Sequence, residues 1–330
     1  MTDTATEAEI RHFADLTKTL RDEIAKIIVG HGDVIDGVVQ CIVSGGHVLL
    51  EGVPGIGKTL LVRTLAQALE LNFSRIQFTP DLQPKDIIGS LQIQRGEDGS
   101  ELRVFEPGPI FSNIVLADEV NRATPRTQSA LLEAMAEQSV TVGRQTHQLE
   151  SPFFVLATQN PLEQDGTYPL PEAQLDRFFF KLVVGFPSID ELDRIMTLTI
   201  SGDKPQVRPV MNRADLARLR EVSRRVGITP SVQRYALRIL QKTHPTTADT
   251  TATVKRFVRE GASPRGGQSM LATARVLALM HGRAVVTEED VRATALPSLR
   301  HRLILNFEGE AEGIRRDDVL REIIESTPRA

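Results

Sequence analysis

Residues 52–59 read Gly52-Val53-Pro54-Gly55-Ile56-Gly57-Lys58-Thr59, a full match to the phosphate-binding pattern G-x-x-x-x-G-K-[ST]. Its three glycines let the backbone turn its N–H groups inward around a polyphosphate. Lys58 supplies a positive charge for the β- and γ-phosphates, and the Thr59 hydroxyl suits Mg²⁺. Such a site still needs a metal-binding carboxylate and a group that activates water. Ile114-Val115-Leu116-Ala117-Asp118-Glu119 offers both, as an apolar strand ending in two acids about 60 residues beyond the loop. Asp118 would hold Mg²⁺ through water, and Glu119 would polarise the attacking water. Adjacent acids at a strand end also occur as solvated loop residues. Their position behind a phosphate loop favours the site.

A third run, Phe153-Phe154-Val155-Leu156-Ala157-Thr158, ends at Gln159-Asn160-Pro161. An amide at that edge can reach a γ-phosphate or the water, since open α/β sheets bind ligands there, although Asn also favours turns. Two arginines cannot be assigned from spacing. Arg177 stands beside Asp176 and reads first as half of a local salt bridge. Arg265 lies in Ser263-Pro264-Arg265-Gly266, which opens a helix with Ser263 as N-cap and Pro264 at the first position. It could lean over a nucleotide or sit in solvent.

The elements around these residues follow from periodicity. An amphipathic helix over 7–28 leads into Val29-Gly30-His31. Strands are expected at 47–51, 74–78, 113–118, 152–158 and 178–184, alternating with helices, which predicts an α/β fold with a parallel sheet covered on both faces. After the loop, Leu61, Leu65, Ala68 and Leu69 share a helical face, and Thr124-Pro125 opens another helix. Residues 89–106 read as a hairpin turning at Asp98-Gly99, and 139–149 as a second with Gly143-Arg144 near its tip. Beyond Pro187-Ser188 the strand pattern stops and 188–330 is helical. Thr287-x-x-Asp290 has capping-box spacing there, and the Thr-rich stretch 243–253 reads as an exposed, mobile loop. The expected domains are therefore 1–187 and 188–330.

Composition narrows the function. The 330 residues are 41% hydrophobic and 25% charged, and 39 Lys and Arg against 43 Asp and Glu give a net charge of −4. That balance disfavours indiscriminate nucleic-acid binding. One cysteine excludes an intrachain disulfide and a thiolate cluster. No basic-then-apolar leader and no membrane-length apolar run occur, so the expectation is a cytoplasmic protein without membrane insertion. No N-K-x-D guanine-reading motif follows the loop.

The loop, together with Ala117-Asp118-Glu119-Val120-Asn121-Arg122-Ala123, Ala157-Thr158-Gln159-Asn160-Pro161, Leu175-Asp176-Arg177-Phe178 and Ser263-Pro264-Arg265-Gly266, resembles the MoxR family of AAA+ ATPases over about residues 25–310. The resemblance implies an AAA+ core followed by a small all-α lid, assembled as a ring, usually a hexamer, that hydrolyses ATP to ADP with Mg²⁺ between subunits. It implies sensor 1 for Asn160, an arginine finger reaching the adjacent subunit for Arg177, and a sensor 2 arginine for Arg265. Arg122 and Arg126 lie on a segment that could also face a neighbour. Leu60, which follows the loop, and Val29-Gly30, where the first helix gives out, are counted with the nucleotide-binding residues Gly52 to Thr59. The two hairpins resemble the helix-2 insertion and the insertion before sensor 1. The implied work is chaperone-like remodelling of partner proteins, with a separate von Willebrand factor A domain protein as the expected client. Two other functions stay open. A nucleic-acid motor has little support in the hairpin, where Arg95 and Arg103 meet Glu97, Asp98, Glu101 and Glu106. A nucleotide-gated scaffold is the other, and an intact Glu119 argues against it.

Overall fold

The fold is taken from a computed structural model, which describes residues 4–53, 55, 57–95, 101–160, 167–200 and 205–329. Helix α1 (Glu7–Ala25) starts at a Thr6–Glu9 capping box and buries Ile10, Phe13, Leu20 and Ile24 along one stripe. It ends three residues short of the expected limit. Helix α2 (Gly32–Ser44) follows and leads into β1 (His47–Glu51), which precedes the phosphate loop and α3 (Lys58–Ala68).

Among the described residues, β1 joins β2 (Phe73–Gln77), β5 (Ile114–Asp118), β8 (Phe154–Gln159) and β9 (Phe178–Val183) in one parallel sheet of order β2-β5-β8-β1-β9. The strands were expected within one or two residues of these limits. Period-2 alternation divides their side chains between two cores. Val48, Leu50, Ile114, Leu116, Phe154 and Leu156 face α1, α2 and α3, whereas Leu49, Val115, Ala117, Val155 and Ala157 face the other way. A register shift between His47 and Val48 lets Phe178 and Phe180, two residues apart on β9, enter opposite cores.

Between β2 and β5 come α4 (Pro84–Ile88) and the hairpin β3 (Gly89–Arg95) and β4 (Glu101–Pro107). Its expected turn, Asp98-Gly99, lies outside the described residues. Between β5 and β8 come α5 (Pro125–Glu137) and the hairpin β6 (Ser139–Val142) and β7 (Gln145–Gln148). The two hairpins touch: Phe105 stacks on His147 with centroids 3.9 Å apart, and Phe111 packs edge-on against Phe105. Leu91, Ile93, Leu102 and Val104 remain exposed.

The short α6 (Glu172–Leu175) precedes β9, and α7 (Ile189–Ile200) follows it with no fully buried residue. Then come α8 (Arg213–Arg224), α9 (Pro230–Lys242), α10 (Ala252–Phe257), β10 (Val258–Glu260), α11 (Pro264–Met280), α12 (Glu288–Leu299), β11 (Ile304–Leu305), α13 (Phe307–Ala311) and α14 (Arg316–Ser326). Two expectations are corrected here. The region contains a small antiparallel pair, β10 with β11. Residues 243–253 are not an exposed loop either, since Thr243 and Thr250 are buried. Thr243 and Thr247 donate to the Leu240 and Gln241 carbonyls, and His244 bonds the Ala262 carbonyl at 3.1 Å, so the threonines cap the end of α9. The expected Ser263 cap and Thr287–Asp290 capping box both form. Helices α8, α9, α11 and α12 share one continuous core with α1, α2 and the adjoining sheet face.

Candidate nucleotide site

Strands β1 and β8 are neighbours whose following connections leave in opposite directions, β1 towards β2 and β8 towards β9. Such a switch opens a crevice at the C-terminal strand ends. The loop lies there. Gly55 and Gly57 have φ of +83° and +84°, and a Cβ built on either would meet nothing within 4 Å. The backbone is therefore left-handed and uncovered, as a cradle for phosphate requires. Gly57 caps α3, and Lys58 opens it with its Nζ donating to the Gly52 carbonyl at 2.7 Å. Pro54 and Ile56 lie outside the described residues.

Beside the loop, a cleft of about 340 Å³ is walled by Ile27, Ile28, Val29 and Leu60 and by Leu192 and Met196 of α7. An apolar cleft of that kind suits a flat base. Gly30, between the lining residues Val29 and His31, has φ +75° and so little room that an added Cβ would lie 2.1 Å from Glu191 Oε1. Val29 and Leu60 line the same cleft as Gly55, Gly57 and Lys58 of the loop.

Asp118, Glu119 and Asn160 stand at the same edge, on β5, just past it, and just past β8. Asp118 Oδ1 accepts from Thr158 Oγ1 at 2.6 Å, and Thr158 Oγ1 accepts from the Glu119 N–H at 2.8 Å. Arg75 places its guanidinium on Asp118 Oδ2 through Nη2 at 2.6 Å and Nε at 3.1 Å. Glu119 Oε2 accepts from Gln77 Nε2 and from Arg122 Nη1, each at 2.8 Å. Glu119 itself has φ +56°, left-handed backbone that aims its side chain away from the strand direction. Arg75, Gln77 and Thr158 escaped the sequence reading. A polar pair two apart on a strand was visible, but that β2 adjoins β5 was not.

The donors fit Mg²⁺. Thr59 and Asp118 offer oxygen alone, as a hard cation demands, and a guanidinium already stands in as the positive charge at Asp118. Among the described residues no cluster of His, Cys, Asp and Glu is placed to hold another metal.

Arg177 and Arg265 are not brought to this crevice. Phe178, next after Arg177, pairs with His47 at the start of β1, whereas the loop follows the end of β1. The two places are roughly 15–20 Å apart along the strand. The expected Asp176–Arg177 salt bridge is also absent. Arg177 donates to the Leu132 carbonyl, in a cleft of about 630 Å³ lined by Glu133, Glu137 and Gln174. Asp176 instead receives Arg302 Nε at 2.7 Å and Ser263 Oγ at 2.9 Å, with Arg265 Nη1 at 3.6 Å. Arg302 is almost wholly buried, and it also donates to the Asp176 and Phe178 carbonyls at 2.8 and 2.7 Å. Burial lowers its pKa, and Asp176 offsets only part of that drop. One buried guanidinium just past α12 thus ties that helix end to the turn that presents Arg177, and Asp176 in that turn also meets Ser263 and Arg265 at the start of α11.

At the start of β1, His47 is buried, accepts at Nδ1 from the Val155 N–H at 3.0 Å and donates from Nε2 to the Met135 carbonyl at 3.2 Å. Those two bonds define the neutral Nε2–H tautomer, and burial pushes its pKa down to about 4.

A glycine cradle between a strand and a helix, an Asp-Glu pair at the end of the next strand but one and a switch point between them are the marks of a P-loop nucleotide-binding protein of the AAA+ kind. Residues 47–180 match the "ATPase family associated with various cellular activities (AAA)", and residues 251–323 match an AAA lid domain. The chain is 44% identical to the YeaC protein of Bacillus subtilis, covering 92% of this chain and 91% of that one. It is 42% identical to the chaperone MoxR1 of Mycobacterium tuberculosis, covering 92% and 80%. A solved structure from Cytophaga hutchinsonii superposes with a TM-score of 0.90 at 38% identity over 98% of each chain. The chain belongs to the MoxR family of AAA+ ATPases. No helix among the described residues is long and apolar enough to cross a membrane.

Proposed function

We propose that this chain is one subunit of an ATP-hydrolysing ring, usually a hexamer in its family, that remodels or matures partner proteins in the cytoplasm. Residues 1–187 form its nucleotide-binding core and 188–330 its lid. Gly52 to Leu60 hold the phosphates, and Val29 and Gly30 border the base. Thr59 and Asp118 hold Mg²⁺, which when bound neutralises charge on the β- and γ-phosphates. Glu119 takes a proton from the attacking water, and Asn160 orients that water or the γ-phosphate. Arg177 and Arg265 act on the nucleotide of an adjacent subunit.

One observation carries the reading: both arginines lie at the end of the sheet opposite their own loop, Arg177 next to Asp176 in the chain and Arg265 Nη1 3.6 Å from the Asp176 carboxylate. A single chain therefore holds a cradle without its finger and a finger without its cradle. Rate then depends on contact between copies, because phosphoryl transfer is catalysed mainly by positioning and charge neutralisation. The exposed Leu91, Ile93, Leu102 and Val104 on the first hairpin support a protein client over a phosphate backbone. A von Willebrand factor A domain chain is the expected partner.

The test mixes two inactive variants. Glu119→Gln and Arg177→Ala subunits should each lose about 10³-fold or more of turnover. Combined in equal amounts they should regain activity, since about one junction in four then pairs an intact Glu119 with an intact Arg177. A mixture as inactive as its parts removes Arg177 from its role across the junction.

A further inference from the structure

A carboxylate as enclosed as that of Asp118, whose side chain is 12% exposed, is costly to leave without a counter-charge. Arg75 supplies one, yet its own side chain is 47% exposed, so it can withdraw into water at little cost. Paired register explains the reach. Gln77 stands opposite Asp118 across β2 and β5, and Arg75, two residues earlier, lies on the same face. Arg75 Nη2 also donates to Gln77 Oε1 at 2.5 Å, and Gln77 Nε2 donates to Glu119. That chain fixes the amide orientation, because the flipped amide would set its oxygen against the Glu119 carboxylate.

We infer that Arg75 is a place-holder for the metal: its guanidinium occupies Asp118 until Mg²⁺ arrives with nucleotide and displaces it. Two consequences follow. Mg²⁺ alone competes with a tethered cation for Asp118, so the nucleotide-free protein binds divalent ions weakly. Departure of Arg75 also removes the donor that orients Gln77, which frees Glu119 from one of its two side-chain partners. This inference rests on the metal role proposed for Asp118.

The probe is Mn²⁺, followed by its electron paramagnetic resonance in the nucleotide-free full-length protein. Arg75→Met should bind Mn²⁺ at about tenfold lower concentration than the wild type. Adding Asp118→Asn should abolish that gain, and Arg75→Lys should keep most of the wild-type behaviour. With a fluorescent ADP analogue, the Mg²⁺ concentration for half-maximal binding should fall in Arg75→Met, while binding in EDTA stays the same. Unchanged Mn²⁺ binding in a variant with native circular dichroism would overturn the inference. So would weaker ADP binding in EDTA, which would make Arg75 a phosphate ligand. If Arg75→Met does not fold, Arg75→Gln, which keeps a hydrogen bond without the charge, gives the same two readings. Failure of the wild type to bind ADP at all would instead refute the nucleotide site itself.

Discussion

At the scale of single residues, the site is held by short polar contacts across neighbouring strands. Thr158 is fully buried, and its hydroxyl serves Asp118 and the Glu119 N–H at once. Thr158→Val keeps the shape and removes both bonds, leaving the Glu119 N–H without this acceptor and Asp118 with Arg75 alone. The expected cost is roughly 2–3 kcal/mol, with Thr158→Ser far milder. Urea unfolding measures it, and a Val variant within half a kcal/mol or so of the wild type would show that the hydroxyl is not what ties the two strands. The acid pair itself was legible in Ile114 to Glu119, because an apolar run ending in charges is a local pattern. Its partners were not legible: Arg75 lies 43 residues from Asp118, and only the pairing of β2 with β5 brings them together.

At the scale of elements, β1 carries the loop and must be fixed at its base. His47 does this from the start of the strand, reaching Met135 on α5 and Val155 on β8. Its folded pKa, about 4, lies below the ordinary value of 6.5. Between those values the unfolded chain binds a proton that the folded chain refuses, so stability falls as pH drops from 6.5 to 4. Above 6.5 the contribution is fully present, and below 4 no further loss arises from this group. The full loss is on the order of 3 kcal/mol. Unfolding midpoints at pH 7 and pH 5 should differ more for the wild type than for His47→Gln, and equal differences would exclude His47 as the source. Element boundaries were readable to within a few residues, since burial alternates with period two in strands and near 3.6 in helices. The Thr-rich stretch 243–253 misled because composition alone marks a loop. Hydroxyls that cap the end of α9 look the same in sequence as hydroxyls facing water.

For the whole molecule, the decisive feature is polarity. The loop and acid pair occupy one end of the sheet, while Arg177 and Arg265 occupy the other. Closed ring interfaces join unlike faces in this way. ATPase activity per chain should therefore rise with protein concentration and level off once rings form, followed by turnover and light scattering on the same dilution series. Constant activity down to dilutions where only monomer scatters would contradict a shared site. The switch from strands to helices near Pro187 was visible in the sequence. That α8, α9, α11 and α12 would pack into the core of α1 and α2 was not. An amphipathic helix declares that it has an apolar face and says nothing of which other face will cover it.

The sequence by itself determined the phosphate cradle, the acids at a strand end and the α/β order, because each is written in residues within a few positions of one another. Only the tertiary structure decided that Asp176 answers to Arg302, 126 residues away, rather than to the adjacent Arg177, and that Arg75 covers Asp118. The reason is that charges of one sign are interchangeable along a chain. With 39 basic and 43 acidic residues, pairing is chosen by strand order and burial, and those exist only once the chain has folded.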